Sequence, residues 1–365
     1  MRVVFAGGGT GGHLYPGLAV ARALVRLEGR AQPFFIGARR GIERDVLPST
    51  EFPHLLLDLH PLYRARPWQN WKTVAGLAGA WRAVGRAFRE QPAAMVIGLG
   101  GYASGAALGY AAAHGVPIGL MEQDSHAGIA TRFFSRFATE IYLGYGEASR
   151  HLSPRKGAWV GEIGNPITPP PEPRPGRAEA RAMWGFPREG GRVLLIFGGS
   201  QGARAINETV DAWVARGLPD DLLVIWGTGR AAYEQFAHRE SPRVRVRAYL
   251  SPIADAYAAA DFALTRAGAL TIAELCAWGI PSILVPLPTA AANHQTRNAR
   301  SLERAGAALH LPQAELTAER LDALVRRLLA GDTELAALGR SALARAKPRA
   351  AEDIAKRILA LAASR

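Results

Sequence analysis

The chain opens on a stretch with little conformational choice. Val3-Val4-Phe5-Ala6 is a short apolar run of the length of a buried strand. From Gly7 to Gly12 glycine fills five of six positions, and Leu14-Tyr15-Pro16-Gly17-Leu18-Ala19-Val20-Ala21-Arg22-Ala23-Leu24 then reads as a helix. A strand that runs through a glycine loop into a helix start gathers bare backbone N–H groups and the positive end of a helix dipole at one point, which is an anion site. Gly7, Gly9 and Gly12 spell G-x-G-x-x-G, the dinucleotide fingerprint. Taken alone, the same loop equally serves to turn a strand tightly onto its helix.

The second strand separates these readings. Pro33-Phe34-Phe35-Ile36-Gly37 runs into Ala38-Arg39-Arg40, where an NAD site places an acid for the ribose. Glu43 lies too far along for that role. NAD is therefore disfavoured, and an NADP reading rests only on the arginines.

The opening pattern then recurs. Val193-Leu194-Leu195-Ile196-Phe197 is an apolar strand, Gly198-Gly199-Ser200-Gln201-Gly202-Ala203 a glycine loop, and Arg204 starts a helix. Between the copies, Gly164-Asn165-Pro166-Ile167-Thr168-Pro169-Pro170-Pro171-Glu172-Pro173-Arg174-Pro175 is too rich in proline for either regular element and reads as a stiff crossing. At 365 residues, two domains are expected. Their limits are 1–163 and 164–345, with 346–365 a terminal helix. Two halves that begin alike suggest two similar nucleotide-binding-type domains facing a cleft.

Further strands are expected at Leu55–Leu59, Ala93–Gly98, Pro117–Leu120, Ile141–Gly144, Leu222–Gly227, Val244–Tyr249 and Phe262–Thr265. Ala256–Asp261 reads as a short helix. A second glycine loop, Leu99-Gly100-Gly101-Tyr102-Ala103-Ser104-Gly105, follows one strand, and Met121-Glu122-Gln123-Asp124 closes another. Polar residues at the carboxyl end of a parallel strand are candidate ligand contacts; Asp124 or Ser125 can instead cap a helix. In Arg266-Ala267-Gly268-Ala269-Leu270-Thr271-Ile272-Ala273-Glu274, Thr271 and Glu274 have capping-box spacing. The functional alternative has the N–H groups of residues 269–271 receiving a phosphate and the two oxygens of Glu274 accepting a ribose diol. Gly279–Pro286 is a strand entering a loop, and Asn293-His294-Gln295-Thr296-Arg297-Asn298-Ala299 opens the next helix with amides suited to sugar hydroxyls. Residues 317–365 form helices rich in Ala, Leu and Arg.

Composition limits the partners. The net charge of +13 favours anions: phosphorylated ligands, an acidic membrane face or nucleic acid. Nucleic acid is the least favoured, because the arginines are scattered. Cys276 is the one cysteine, so no internal disulfide forms, and its apolar helical setting reads as an inert buried thiol. No secretory signal is apparent. Residues 91–121 lack charge apart from His114, yet their seven glycines and Pro117 divide them into buried α/β core and not a membrane span. Lys72 to Arg89 repeats Trp71, Val74, Leu77, Ala78, Trp81, Val84 and Phe88 at helical spacing beside Arg82, Arg86 and Arg89. It is either a core-facing helix with a solvated face or one that lies on a membrane surface.

Taken together, Gly8-Gly9-Thr10-Gly11-Gly12-His13, Gly100-Gly101-Tyr102, Glu122-Gln123, Gly164-Asn165-Pro166, Gly198–Ala203, Arg266–Thr271 and Asn293-His294-Gln295 stand in the order and spacing of one family. The chain resembles the bacterial peptidoglycan N-acetylglucosaminyltransferases that make lipid II, the MurG family, over nearly its whole length. The resemblance implies a GT-B fold of two Rossmann-like domains facing a central cleft, with the last helix crossing back onto the first domain. It implies UDP-N-acetylglucosamine as donor, lipid I as acceptor, inversion at the anomeric carbon and no cofactor or essential metal. It also implies a peripheral place on the anionic inner leaflet, at the cytoplasmic face of the plasma membrane.

Inversion needs a base near the acceptor hydroxyl, and His13, at the mouth of the first loop, is the best-placed candidate; its other reading is a histidine merely hydrogen-bonded in a helix start. By the family likeness Thr10, Gly11, Gly12, Asp124, Ser200, Leu250, Ala269, Leu270, Thr271, Glu274 and Gln295 hold the donor, and Gly9, Tyr102, Glu122 and Gln123 line the acceptor side. Two departures stand out. The family usually reads His-Glu-Gln-Asn where this chain has Met121-Glu122-Gln123-Asp124, and it commonly has an arginine shortly after Asn-Pro where this chain has Thr168. Arg174 and Arg177 are the candidates to replace that arginine.

Overall fold

Short apolar runs alternating with helical segments become two parallel sheets in the computed structural model, which describes residues 1–59, 70–199 and 201–363. The first unit comprises residues 1–168 together with 349–365. In chain order it holds β1 (Arg2–Gly7), α1 (Gly11–Leu27), β2 (Gln32–Ala38), α2 (Glu43–Val46), β3 (His54–Leu57), α3 (Asn70–Glu90), β4 (Met95–Gly100), α4 (Gly105–Ala113), β5 (Ile118–Glu122), α5 (Ile129–Phe134), β6 (Glu140–Leu143) and β7 (Trp159–Glu162). The second, residues 169–348, holds α6 (Arg177–Met183), β8 (Arg192–Phe197), α7 (Arg204–Ala215), β9 (Leu222–Gly227), α8 (Tyr233–Phe236), β10 (Val244–Arg247), α9 (Ile253–Ala259), β11 (Phe262–Thr265), α10 (Ala269–Trp278), β12 (Ser282–Leu284), α11 (His294–Arg304), β13 (Ala308–His310), α12 (Ala318–Ala330) and α13 (Asp332–Ala344). The last helix, α14 (Ala350–Ala363), belongs to the first unit.

The sheet of the first unit runs β3-β2-β1-β4-β5-β6-β7 and that of the second β10-β9-β8-β11-β12-β13. Every ladder is parallel. Helices cover both faces of such a sheet, so its strands are apolar throughout: Val3 to Ala6 and Val193 to Ile196 are wholly buried. Strand order reverses between β1 and β4 and again between β8 and β11. Those are the points where a parallel sheet opens a crevice at its carboxyl edge. Both glycine loops leave the sheets there.

Differences from the sequence reading are local. α1 begins at Gly11, not Leu14, which brings Gly12 and His13 into its first turn. β7 and β13 were not anticipated; Trp159-Val-Gly-Glu162 and Ala308-Leu-His310 are edge strands too short and mixed to show a period. The expected strand over residues 244–249 stops at Arg247, and the helix expected at 256–261 spans 253–259. The units part after Thr168 and after Pro348, where the sequence suggested 163 and 345. The uncharged segment 91–121 is β4, α4 and most of β5, and no helix among the described residues is long and apolar enough to cross a membrane. Pro67, Trp68, Gln69 and the side chain of Trp71 lie outside the described residues. Cys276 is buried, and burial pushes its thiol up to about 11, so it is no nucleophile at neutral pH.

α14 returns to the first unit through Ala351, Ile354, Ala355 and Ile358, which enter the core with Leu14, Leu18 and Ala21 of α1. One ion pair fixes it. Arg357 donates from Nε and Nη2 to the two oxygens of Glu140, at 2.9 Å each, with its guanidinium 3.4 Å from the Trp159 ring centroid. Glu140 is nearly buried, while the Arg357 side chain is 32% exposed. Arg357→Ala strands that carboxylate without its cation and is expected to cost about 2–3 kcal/mol, below the full cost of breaking a buried pair because the arginine is partly solvated. Urea unfolding of the variant measures it, and a loss within the error of the midpoint would mean that water serves Glu140 as well.

Candidate active site

At the carboxyl edge of the first sheet, Gly7, Gly8 and Gly9 carry φ of 150°, 137° and 93°. These angles are costly for any residue with a Cβ. The Gly8 N–H donates to Gly100 O at 3.3 Å, and a Cβ on Gly101 would stand 2.2 Å from Gly8 O. The two glycine loops therefore touch backbone to backbone. Thr10 is the extended residue ahead of α1, and its side chain makes no capping bond. Its Oγ1 lies 3.2 Å from His13 Nδ1 instead. The His13 ring rests against the end of β4, where a Cβ on Gly100 would come within 2.9 Å of its Cδ2. Tyr102 flanks Gly9 and is 38% exposed. His13, Thr10, Gly9 and Tyr102 are thus brought together, with Gly11 and Gly12 in the first turn of α1. The Gly9 N–H is already engaged, donating to Glu43 Oε1 at 2.7 Å.

Glu122 and Gln123, the other acceptor-side candidates, are both buried and make hydrogen bonds within the protein. Glu122 Oε1 accepts from the Asp124 N–H at 3.2 Å and Oε2 from the Gly128 N–H at 2.9 Å. Gln123 Nε2 donates to Leu99 O, and Asn165 Nδ2 donates to Gln123 O. Asp124 and Ser125 do not cap α5, because its first residue is Ile129 and the residue ahead of it is Gly128. The Glu122 carboxylate serves that end of the helix from a distance.

Burial raises the Glu122 carboxyl to about 7, against hydrogen bonds from Thr131 and Gly128 that pull it down. The folded protein then holds a proton that the unfolded chain releases near its usual 4.5. Stability contributed by the neutral acid is complete below about 4.5 and is lost as pH rises through about 7. Glu122→Gln is expected to flatten the fall in thermal midpoint between those values. An unchanged slope would assign it to another group.

At the edge of the second sheet, the loop after β8 depends on Gly202, whose added Cβ would lie 2.1 Å from Thr228 O. Ser200 lies outside the described residues. Leu250 is buried and covers the end of β9, within 3.0 Å of a Cβ added at Gly227. After β11, Gly268 is the extended residue ahead of α10, and no side chain caps the helix. Thr271 is therefore the third helical residue and not a cap. The capping-box reading fails, and the N–H groups of Ala269, Leu270 and Thr271 occupy the first turn, where a helix has no carbonyl for them.

Glu274 Oε2 accepts instead from the Tyr257 hydroxyl at 2.8 Å. Burial raises its pKa, and the Tyr257 bond lowers it. Arg266, nine-tenths buried, donates from Nη1 to Val285 O and Pro286 O at 3.2 Å each, and burial lowers its pKa. Gln295 Oε1 accepts from the Leu287 N–H at 2.9 Å, and Asn298 donates to Ala267 O. These bonds tie the loop after β12 and the start of α11 to the α10 N-terminus.

Arg174 and Arg177, the candidates for a phosphate contact, are used elsewhere. Arg174 donates to Ala277 O and Trp278 O at the end of α10, and Arg177 donates to Asp261 at 2.7 Å. Sequence reasoning missed Tyr257 and Glu43. Tyr257 sits in an alanine-rich helix that gives no polar signal, and Glu43 had been set aside as too late for a ribose.

Two parallel α/β units, each with polar groups and a helix N-terminus at its switch point, are the architecture of the GT-B fold class. Residues 3–143 match the glycosyltransferase family 28 N-terminal domain and residues 193–358 its C-terminal domain. The chain is 39% identical to the UDP-N-acetylglucosamine--N-acetylmuramyl-(pentapeptide) pyrophosphoryl-undecaprenol N-acetylglucosamine transferase of Salinibacter ruber, over 99% of this chain and 96% of that protein. It is 37% identical to the protein of the same description from Prosthecochloris aestuarii, over 99% of each. Among solved structures it resembles Acinetobacter baumannii MurG, with a TM-score of 0.78 at 26% identity over 98% of this chain and 99% of that one. The Neisseria meningitidis UDP-GlcNAc 2-epimerase shares the fold alone, at a TM-score of 0.65 and 12% identity over 99% of this chain and 100% of that one. The chain belongs to the MurG family of N-acetylglucosaminyltransferases.

Proposed function

We infer that the chain transfers N-acetylglucosamine from UDP-GlcNAc to the undecaprenyl-diphosphate-linked N-acetylmuramoyl peptide, lipid I, giving lipid II with inversion. The observation that carries this is likeness to transferases of that description over the full chain. The site chemistry agrees. Inversion needs a base at the acceptor hydroxyl, and His13 fills that role when Nδ1–H donates to Thr10 Oγ1 and leaves Nε2 unprotonated. Thr10, Gly11 and Gly12 at the start of α1 meet the donor, and Gly9 and Tyr102 flank His13 on the acceptor side. Glu122 and Gln123 act there by fixing the neighbouring loops, and Asp124 stands at the end of the first.

In the second unit the first turn of α10 (Ala269, Leu270, Thr271) and Ser200 take the diphosphate. Glu274 takes the ribose, Gln295 the sugar hydroxyls, and the Leu250 backbone the uracil. No cofactor enters the proposed reaction. The enzyme works at the cytoplasmic face of the plasma membrane as a peripheral protein. The first unit suits an anionic leaflet: Leu77 and Trp81 on α3, and Ile129, Phe133 and Phe137 at and beyond α5, are exposed beside Arg82, Arg86, Arg132 and Arg136.

Labelled UDP-GlcNAc incubated with a lipid I analogue tests the reaction. Label must reach the lipid only when acceptor is present; conversion of the UDP-sugar without acceptor would make the chain an epimerase. Glu274→Ala is expected to weaken UDP binding by roughly 1.5–3 kcal/mol, the worth of a charge-assisted hydrogen bond. An unchanged dissociation constant in titration calorimetry removes Glu274 from the ribose.

A further inference from the structure

Glu43 is 0% exposed. Oε1 accepts from the Gly9 N–H at 2.7 Å, and Oε2 is buried with no hydrogen-bond partner among the described residues. Three glycines, Gly37 and Gly41 nearby and Gly8 from the first loop, are shaped around this one side chain. A Cβ on Gly8 would stand 1.6 Å from Oε1, one on Gly41 would stand 1.9 Å from Oε2, and one on Gly37 would stand 2.8 Å from the Glu43 Cβ. A buried carboxylate with an unsatisfied oxygen is a poor source of stability. Residues kept at such a cost are commonly kept for the site they serve.

That site is the loop ahead of α1. Gly7, Gly8 and Gly9 have no side chains to hold them, and their backbone angles are ones that glycine in a free loop leaves readily. Two hydrogen bonds pin the loop: Gly8 N–H to Gly100 O, and Gly9 N–H to Glu43 Oε1. Thr10 follows at once, and Thr10 meets His13.

We propose that Glu43 is a positioning residue for the transfer reaction: its carboxylate fixes the Gly8-Gly9 backbone and thereby sets the place of Thr10 and His13. It touches no substrate. It also claims the Gly9 N–H, so any contact of Gly9 with the acceptor is made without that hydrogen-bond donor. The role of His13 rests on the function proposed above.

The test compares Glu43→Ala and Glu43→Gln in the full chain, with a lipid I analogue and UDP-GlcNAc as substrates. Glu43→Ala is expected to lower kcat about tenfold to a hundredfold, the size of one charge-assisted hydrogen bond, while the UDP dissociation constant holds. Amide hydrogen exchange in residues 7–13 should quicken. Glu43→Gln keeps an acceptor oxygen for Gly9 and should recover most of the turnover and the exchange protection. Wild-type kcat in Glu43→Ala, or a loss of rate only in proportion to the unfolded fraction with exchange in 7–13 unchanged, would overturn the proposal. His13→Ala run in parallel separates the two readings. If that variant keeps wild-type turnover, the base assignment fails, and the exchange data still decide whether Glu43 pins the loop.

Discussion

His13→Ala is expected to lower turnover by about 10²–10⁴-fold, the usual worth of a positioned general base, while UDP affinity is unchanged. The two readouts separate because the residues involved lie in different units. His13 is held in the first by Thr10 Oγ1 at 3.2 Å and by the glycines ending β4. The candidate nucleotide contacts, Leu250, residues 269–271 and Glu274, all lie in the second. A variant that loses only the base keeps its α10 N-terminus and its Tyr257–Glu274 bond. Thr10→Val should fall between the wild type and His13→Ala, because the ring stays but the tautomer is no longer selected. Steady-state rates with a lipid I analogue and calorimetry with UDP measure the split. Wild-type turnover in His13→Ala would rule out the base, and an equal loss in both readouts would make His13 a structural residue.

The glycine loops were legible from sequence because each follows an unbroken apolar strand, and strand–glycine–helix is a local pattern. The switch points were not legible, because strand order in a parallel sheet is set by contacts between residues far apart in sequence. What local pattern also could not supply is direction. Glu122 and Gln123 end a strand as ligand contacts do, yet tertiary packing turns their polar atoms toward Gly128 and Leu99. Thr271 and Glu274 keep capping-box spacing, but Gly268 takes the extended backbone ahead of α10, and Glu274 finds Tyr257. Arg174 lies in the proline-rich crossing and Arg177 just beyond it, as replacements for the arginine after Asn-Pro, yet a helix end and an aspartate claim them. Glu43 was invisible for the opposite reason: Gly8, Gly37 and Gly41 form its cradle only once β1 and β2 lie side by side.

Asp261→Ala is expected to destabilise the protein by about 3–5 kcal/mol, the cost of stranding a buried partner, without altering KM for UDP-GlcNAc in the molecules that stay folded. The Asp261 side chain is 3% exposed, and both of its oxygens are fully used. Oδ1 accepts from Arg177 at 2.7 Å and Arg192 at 3.3 Å, and Oδ2 accepts from Arg181 at 2.7 Å and from the Val193 N–H at 2.8 Å. Arg177 and Arg192 reach solvent and can be rehydrated. The Arg181 side chain cannot, being 6% exposed, and its Nε already lacks a partner among the described residues. Removing the aspartate therefore leaves a buried guanidinium held only by the carbonyls of Gly190 and Gly191. The site is spared because Asp261 stands at the amino end of β11, beside the start of β8, whereas the loops that carry the candidate nucleotide contacts leave the carboxyl ends of the same strands. Urea midpoints at fixed slope measure the loss. A change under about 1 kcal/mol, the range of an exposed pair, would mean that Arg192 and water screen Arg181 in place of the carboxylate. Asp261→Leu combined with Arg181→Met distinguishes a lost attraction from a stranded charge: if the charge is the cost, the double variant should regain most of the stability that Asp261→Ala gives up.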